Sequence, residues 1–165
     1  MNTSNAPTAH DDALSDDELL RLEAQLCFPV TVAARLLVQE YRHVLSPMGL
    51  THPQYLVMLA LWQHDHDEGA SESPLTATEL SVILSMETAT LTGLVRRLEA
   101  QGLVTREPDP RDDRRRRLLL TPEGRALRAQ AKLVPRRMLE RLRLAPEQVE
   151  QVRDAATLLV AALRT

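Results

Sequence analysis

Two groups of residues in this 165-residue chain can do chemistry, a single thiol and a run of arginines. Cys27 is the only cysteine, which excludes an internal disulfide framework and a cysteine-based zinc site. A lone cysteine is ordinarily a small buried apolar side chain. Here Pro29 follows two residues later; if it opens a helix, Cys27 lies just ahead of the positive helix end, where the reactive thiolate is favoured. Leu22, Leu26 and Phe28 are expected to surround the sulfur with apolar surface. The second group is Arg111, Arg114, Arg115, Arg116 and Arg117, inside a segment (96–117) that holds eight arginines against five acids, a net charge of +3. Arginine at that density suits phosphates and an adjacent narrow groove. Neighbouring strand residues face opposite ways, so four consecutive arginines cannot share one surface, and some are expected to pair with Asp112 and Asp113. Taken alone, the basic run reads equally well as a solvated hairpin. The elements around it must decide.

Composition sets the frame. Hydrophobic residues make up 44% of the chain and aromatics only 2%, so the core must be built mainly from Leu, Val and Ala, which favours packed helices over a β-sandwich. The formal net charge is −3, but it is unevenly spread: residues 1–25 carry one base, Arg21, against six acids. The N-terminus is polar and acidic, and no stretch approaches the roughly 18 apolar residues of a membrane span, so a cytoplasmic protein without membrane contact is expected. His64 and His66 lie close together without a third ligand, so neither a metal nor a cofactor is expected.

Residues 1–14 read as a disordered tail. Ser15 and Glu18 have capping-box spacing and open a helix carrying Leu19, Leu22 and Leu26; Pro29 predicts a kink or fresh start near Cys27, and a helical pattern resumes over 30–45. Thr51 and Gln54 cap a helix through about His64, followed by a polar loop over 65–74. Thr76 and Glu79 then cap a short helix, Ser85 and Met86 turn, and residues 87–101 form a second helix closed by Gly102. This succession is a helix-turn-helix. Two β-segments, 103–107 and 115–120, flank the turn-rich PDPRDD and form a hairpin, the wing. Thr121 with Pro122 starts a helix over about 122–143 that Pro135 should kink, and Pro146 opens the last helix, where Val149, Val152, Ala156, Leu159, Val160 and Leu163 line one apolar face. The predicted fold is mainly α with a small β-hairpin.

In the second helix Leu91, Leu94, Val95 and Leu98 share the inner face. Ala89, Thr92, Gly93 and Arg96 face outward, with Thr88 near the start: small and polar residues that let a helix approach base edges in a major groove.

These residues place the chain beside a family. It resembles the MarR transcriptional regulators, particularly the one-cysteine organic hydroperoxide repressors, over about residues 19–144. The resemblance is carried by LEAQLCF (22–28), PQYLVMLALW (53–62), ATLTGLVRRLEAQGLVTREPDPRDDRR (89–115) and LTPEGRAL (120–127). It implies a winged helix-turn-helix homodimer on a palindromic operator of double-stranded DNA. Residues 15–165 then form one domain: 15–50 and 122–165 supply dimerisation helices, 51–121 the DNA-binding lobe, and Thr88, Ala89, Thr92, Gly93, Arg96, Arg111, Arg114, Arg115 and Arg116 the DNA contacts. Recognition helices about 34 Å apart in such a dimer reach successive major grooves.

The resemblance further implies a repressor in which Cys27 is oxidised by an organic hydroperoxide and later restored by a low-molecular-weight thiol. The thiol is hydrogen-bonded by Tyr41 and His52 of the partner subunit. His52 stands where relatives commonly have tyrosine, Gly93 where a proline is frequent, and Pro29 close behind the cysteine are departures. Two other readings stay open: a MarR-type regulator with a non-covalent aromatic ligand and a structural Cys27, and a one-cysteine peroxidase. The latter is disfavoured because no pocket motif or resolving cysteine is evident, and the chain is not read as an enzyme.

Overall fold

The structure, a computed structural model, describes residues 15–67, 75–109 and 112–164. The expected tail over 1–14, most of the 65–74 loop and the wing tip with Arg111 lie outside the described residues. The chain divides into two compact units between Val38 and Gln39.

In the first unit, Ser15 and Glu18 form the expected capping box: the Ser15 N–H donates to the Glu18 carboxylate at 2.8 Å and the Glu18 N–H to the Ser15 hydroxyl at 3.3 Å. The helix it opens, α1 (Asp16–Leu19), stops after four residues, and a 3-10 turn at Leu22–Ala24 follows. This corrects the expected helix carrying Leu19, Leu22 and Leu26. All three side chains are exposed, and so short a helix has little to sustain it without an apolar surface to cover. The Gln25 amide instead donates to the Leu19 carbonyl. Helix α2 (Cys27–Leu45) then begins at the cysteine itself, with Pro29 in its first turn, where a missing N–H costs nothing.

The second unit holds the core. Val44 and Leu45 at the end of α2 are buried with residues of α3 (His52–Asp67), α4 (Ala77–Leu84) and α5 (Thr88–Ala100). Helix α3 runs three residues beyond the expected His64. On α5 the buried residues are Leu91, Leu94, Val95 and Leu98, the set that helical spacing selects. Its end is a Schellman motif: Gly102 has φ 71°, its N–H donates to the Glu99 carbonyl at 2.9 Å, and the Leu103 N–H donates to the Leu98 carbonyl at 3.0 Å.

Strands β1 (Val104–Asp109) and β2 (Asp112–Leu120) pair antiparallel from Val104 opposite Leu120 to Asp109 opposite Asp112, with an irregularity at Pro108 and Asp109. The strands thus include most of the segment expected as turn. A bridge between Thr76 and Arg117, and the Leu118 N–H donating to the Leu75 carbonyl at 2.8 Å, tie β2 to the entry of α4.

Pro135 breaks the next helix rather than kinking it. Helix α6 (Pro122–Ala131) ends and α7 (Val134–Leu142) begins anew. Proline at 135 has no N–H for the Ala131 carbonyl four residues back, and its ring would strike that oxygen. Helix α8 (Pro146–Leu163) has no buried residue; Val152, Leu158, Val160 and Leu163 are exposed. No helix among the described residues is long and apolar enough to cross a membrane.

Candidate DNA interface and thiol site

The N-terminus of α4 and the base of the wing are fixed by polar contacts. At α4 the Glu79 carboxylate accepts from the Thr76 N–H at 2.7 Å and the Thr76 hydroxyl at 2.9 Å, while the Glu79 N–H donates back to that hydroxyl at 3.2 Å. Burial, the largest single influence on this carboxyl, raises its pKa, but the Thr76 hydrogen bonds and the Arg115 charge outweigh it and hold it below the ordinary carboxylate value. At the base of the wing the Thr121 hydroxyl donates to the Gly102 carbonyl at 2.6 Å and accepts from the Gly124 N–H at 2.9 Å. The Trp62 indole donates to the Gly124 carbonyl at 2.8 Å, and Arg125 bonds the Asp65 carboxylate at 3.1–3.2 Å and the Leu120 carbonyl at 2.9 Å. The Leu-Thr-Pro-Glu-Gly segment is therefore a junction between α5, β2, α6 and α3.

On α5, Thr88, Ala89 and Arg96 are exposed, whereas Thr92 and Gly93 are partly covered. The Thr92 hydroxyl donates to the Thr88 carbonyl at 2.8 Å, which leaves its lone pairs free to accept. Arg106 of β1 reaches back to α5, with Nε 3.0 Å from the Glu99 carboxylate and an Nη donating to the Thr92 carbonyl at 3.5 Å. This wing-to-helix tie escaped the sequence reading, because one arginine on a strand carries no mark of its helical partner. A Cβ built at Gly93 meets nothing within 4 Å, so packing inside the chain does not require glycine there. Gly93→Ala is expected to stabilise the protein by about 0.5–1 kcal/mol in urea unfolding. If glycine serves close approach to DNA, the same variant binds operator more weakly; unchanged affinity would remove that role.

The arginines of β2 divide by face. Arg115 pairs with Glu79 at 2.8 Å and Arg117 with its cross-strand neighbour Glu107 at 3.7 Å. Arg114 and Arg116 are exposed and form no ion pair among the described residues. This corrects the expected pairing with Asp112, whose carboxylate accepts the Arg114 backbone N–H at 2.9 Å; the Asp113 side chain lies outside the description. Strand alternation accounts for the change, since 115 and 117 share the face turned to other elements.

Cys27 is exposed within the single chain and is the first residue of the 19-residue helix α2. In the second unit Tyr41 and His52 come together, with ring centroids 4.8 Å apart, and Tyr55 lies 6.0 Å from Tyr41. Burial lowers the pKa of His52, leaving a neutral imidazole at pH 7, and raises that of Tyr41, which keeps its phenolic proton. Tyr55 is pushed up to about 12 by burial and by the Tyr41 charge. Both Tyr41 and His52 thus have a proton to donate. No cluster of three or more metal-ligating side chains occurs among the described residues.

A model of the MarR family matches residues 48–115. The organic hydroperoxide resistance transcriptional regulator of Bacillus subtilis (strain 168) is 31% identical over 144 residues, covering 87% of this chain and 92% of the relative. Among solved structures, reduced AbfR bound to DNA is 30% identical with a TM-score of 0.68, covering 92% of this chain and 100% of that one. Overoxidized AbfR bound to DNA is also 30% identical, with a TM-score of 0.67, covering 90% and 99%. With its capped helix-turn-helix, arginine-bearing wing and these likenesses, the chain belongs to the MarR family of DNA-binding transcriptional regulators.

Proposed function

We propose that this regulator is a cytoplasmic homodimeric repressor that senses organic hydroperoxides through Cys27. The observation that carries the reading is the exposure of the only thiol at the positive end of α2. The likeness to a hydroperoxide resistance regulator supports it. The Cys27 thiolate attacks the terminal peroxide oxygen, an S–O bond forms as the O–O bond breaks, and the alkoxide takes a proton and leaves as an alcohol. The sulfur is oxidised by two electrons to sulfenic acid and the peroxide is reduced by two. With no second cysteine in the chain, a low-molecular-weight thiol condenses with the sulfenic acid, releasing water, and a second thiol restores Cys27 by exchange.

In the reduced dimer the thiol accepts hydrogen bonds from Tyr41 and His52 of the other copy. Oxidation enlarges the side chain and breaks these bonds, the two lobes lose the spacing of the palindromic half-sites, and transcription resumes. The exposed apolar residues of α8 form part of the dimer interface. Thr88, Ala89, Thr92, Gly93 and Arg96 read the major groove, while Arg114 and Arg116, with Arg111 at the tip, bind phosphates and the minor groove.

Exposed Leu22, Leu26 and Phe28 near Cys27 in the sequence favour an oxidant with an apolar body. Cumene hydroperoxide at one equivalent per protomer is therefore expected to release upstream DNA, whereas hydrogen peroxide needs about a tenfold larger dose. Equal doses would overturn the organic class, and retention with both would overturn peroxide sensing.

A further inference from the structure

Glu79 divides its two carboxylate oxygens between two tasks. Oε2 accepts both bonds from Thr76 at the start of α4, and Oε1 takes the Arg115 guanidinium of β2 at 2.8 Å. Thirty-six residues separate the partners in sequence. The contact is also prepared by the backbone: Thr76 bridges Arg117, and Leu75 receives the Leu118 N–H at 2.8 Å, so this edge of the wing already lies along the entry to α4. Arg115, two residues from Arg117 and on the same strand face, then reaches the first turn of α4. Arg114 and Arg116 alternate to the other face and are exposed.

We infer that Arg115 and Glu79 form a positioning pair that sets the wing against the helix-turn-helix, and that Arg115, for all its place in the arginine run, is not one of the phosphate contacts. The inference rests on operator binding through the wing. It separates arginines that fix the wing from arginines that touch DNA, a division that charge counting does not make.

The salt dependence of DNA binding distinguishes the two roles, because each phosphate neutralised contributes about 0.9 to the slope of log K against log salt. Binding of a fluorescent duplex from the protein's own upstream DNA is measured across a salt series for Arg114→Gln, Arg115→Gln, Glu79→Gln and the Glu79→Gln/Arg115→Gln double variant. Glutamine at 79 preserves capping-box chemistry, and both side chains of the pair are about half exposed, with relative areas of 48% and 45%, so neither change threatens the fold. Arg114→Gln is expected to lower the slope by about 1.8 for the two wings of a dimer. Arg115→Gln should leave the slope within about 0.3 of wild type while weakening binding by roughly two- to thirtyfold, the range for loss of an exposed ion pair in each wing. Arg115→Lys, which keeps the pair, should recover most of that loss. In the Glu79→Gln background Arg115→Gln should change affinity by less than about twofold. A fall in slope like that of Arg114→Gln, an unaltered affinity, or a loss that persists without the Glu79 charge would each overturn the assignment. A wild-type protein with no salt-dependent DNA binding would instead remove the operator reading on which it rests.

Discussion

A Cys27→Ser variant is expected to bind operator DNA within about twofold of the reduced wild-type protein and to remain bound after a dose of cumene hydroperoxide that releases the wild type. Serine nearly preserves the size of the side chain and its hydrogen-bonding capacity, but its hydroxyl is not oxidised by peroxide. Cys27 is exposed and has no polar partner among the described residues of its own chain, so the exchange disturbs little in the fold. In the wild type, coupling between an oxidised sensor and a DNA site is typically worth roughly 1–3 kcal/mol, or about 5- to 150-fold in affinity. Fluorescence anisotropy with and without oxidant checks both halves of the expectation. Release of the serine variant by the same dose would place the peroxide signal on another side chain.

The second large effect lies at the wing junction. A Cβ added to Gly124 would stand 2.1 Å from the Leu103 carbonyl oxygen and 3.1 Å from its carbon, both backbone atoms that no rotamer change can move. Gly124→Ala must therefore shift α6 or the strand entry, straining the Trp62 bond to the Gly124 carbonyl and the Thr121 cap together. A loss of about 3 kcal/mol is expected, at the upper end for overpacking. For a chain of this size that lowers the melting temperature by roughly 6–12 °C. Gly93→Ala, built into open space, should move stability the other way. Thermal unfolding of the two variants side by side gives opposite signs; a Gly124→Ala protein as stable as wild type would show the junction to be pliable.

The features legible in the sequence were those whose physics is local. Thr76 and Glu79 announce a helix start by spacing alone, Gly102 marks a left-handed end, and the Leu91, Leu94, Val95 and Leu98 spacing selects the buried face of α5. The proximity of Tyr41 to His52, with ring centroids 4.8 Å apart, follows from tertiary placement rather than local spacing. What stayed hidden depended on distant partners. Leu19, Leu22 and Leu26 have helical spacing, yet without a buried surface for that stripe only one turn of α1 forms. The guanidinium partners of Arg115 and Arg117 are Glu79 and Glu107 rather than the adjacent aspartates, because strand alternation and tertiary placement decide which face each occupies. The severity of the break at Pro135 depended on whether surrounding contacts would keep the flanking turns helical.

The proposed switch is oxidation of Cys27. Its most direct test follows the oxidised fraction by intact-protein mass spectrometry, resolving sulfenic acid, mixed disulfide and sulfinic acid, while operator occupancy is read in the same samples across a substoichiometric series of cumene hydroperoxide. Oxidation level and release are read together because sulfenic acid, mixed disulfide and sulfinic acid are distinct states of the same sulfur. Occupancy is expected to fall in step with the sulfenic acid or mixed disulfide and to return when thiol restores Cys27. Fully oxidised Cys27 with the operator still occupied at unchanged affinity would rule out the switch.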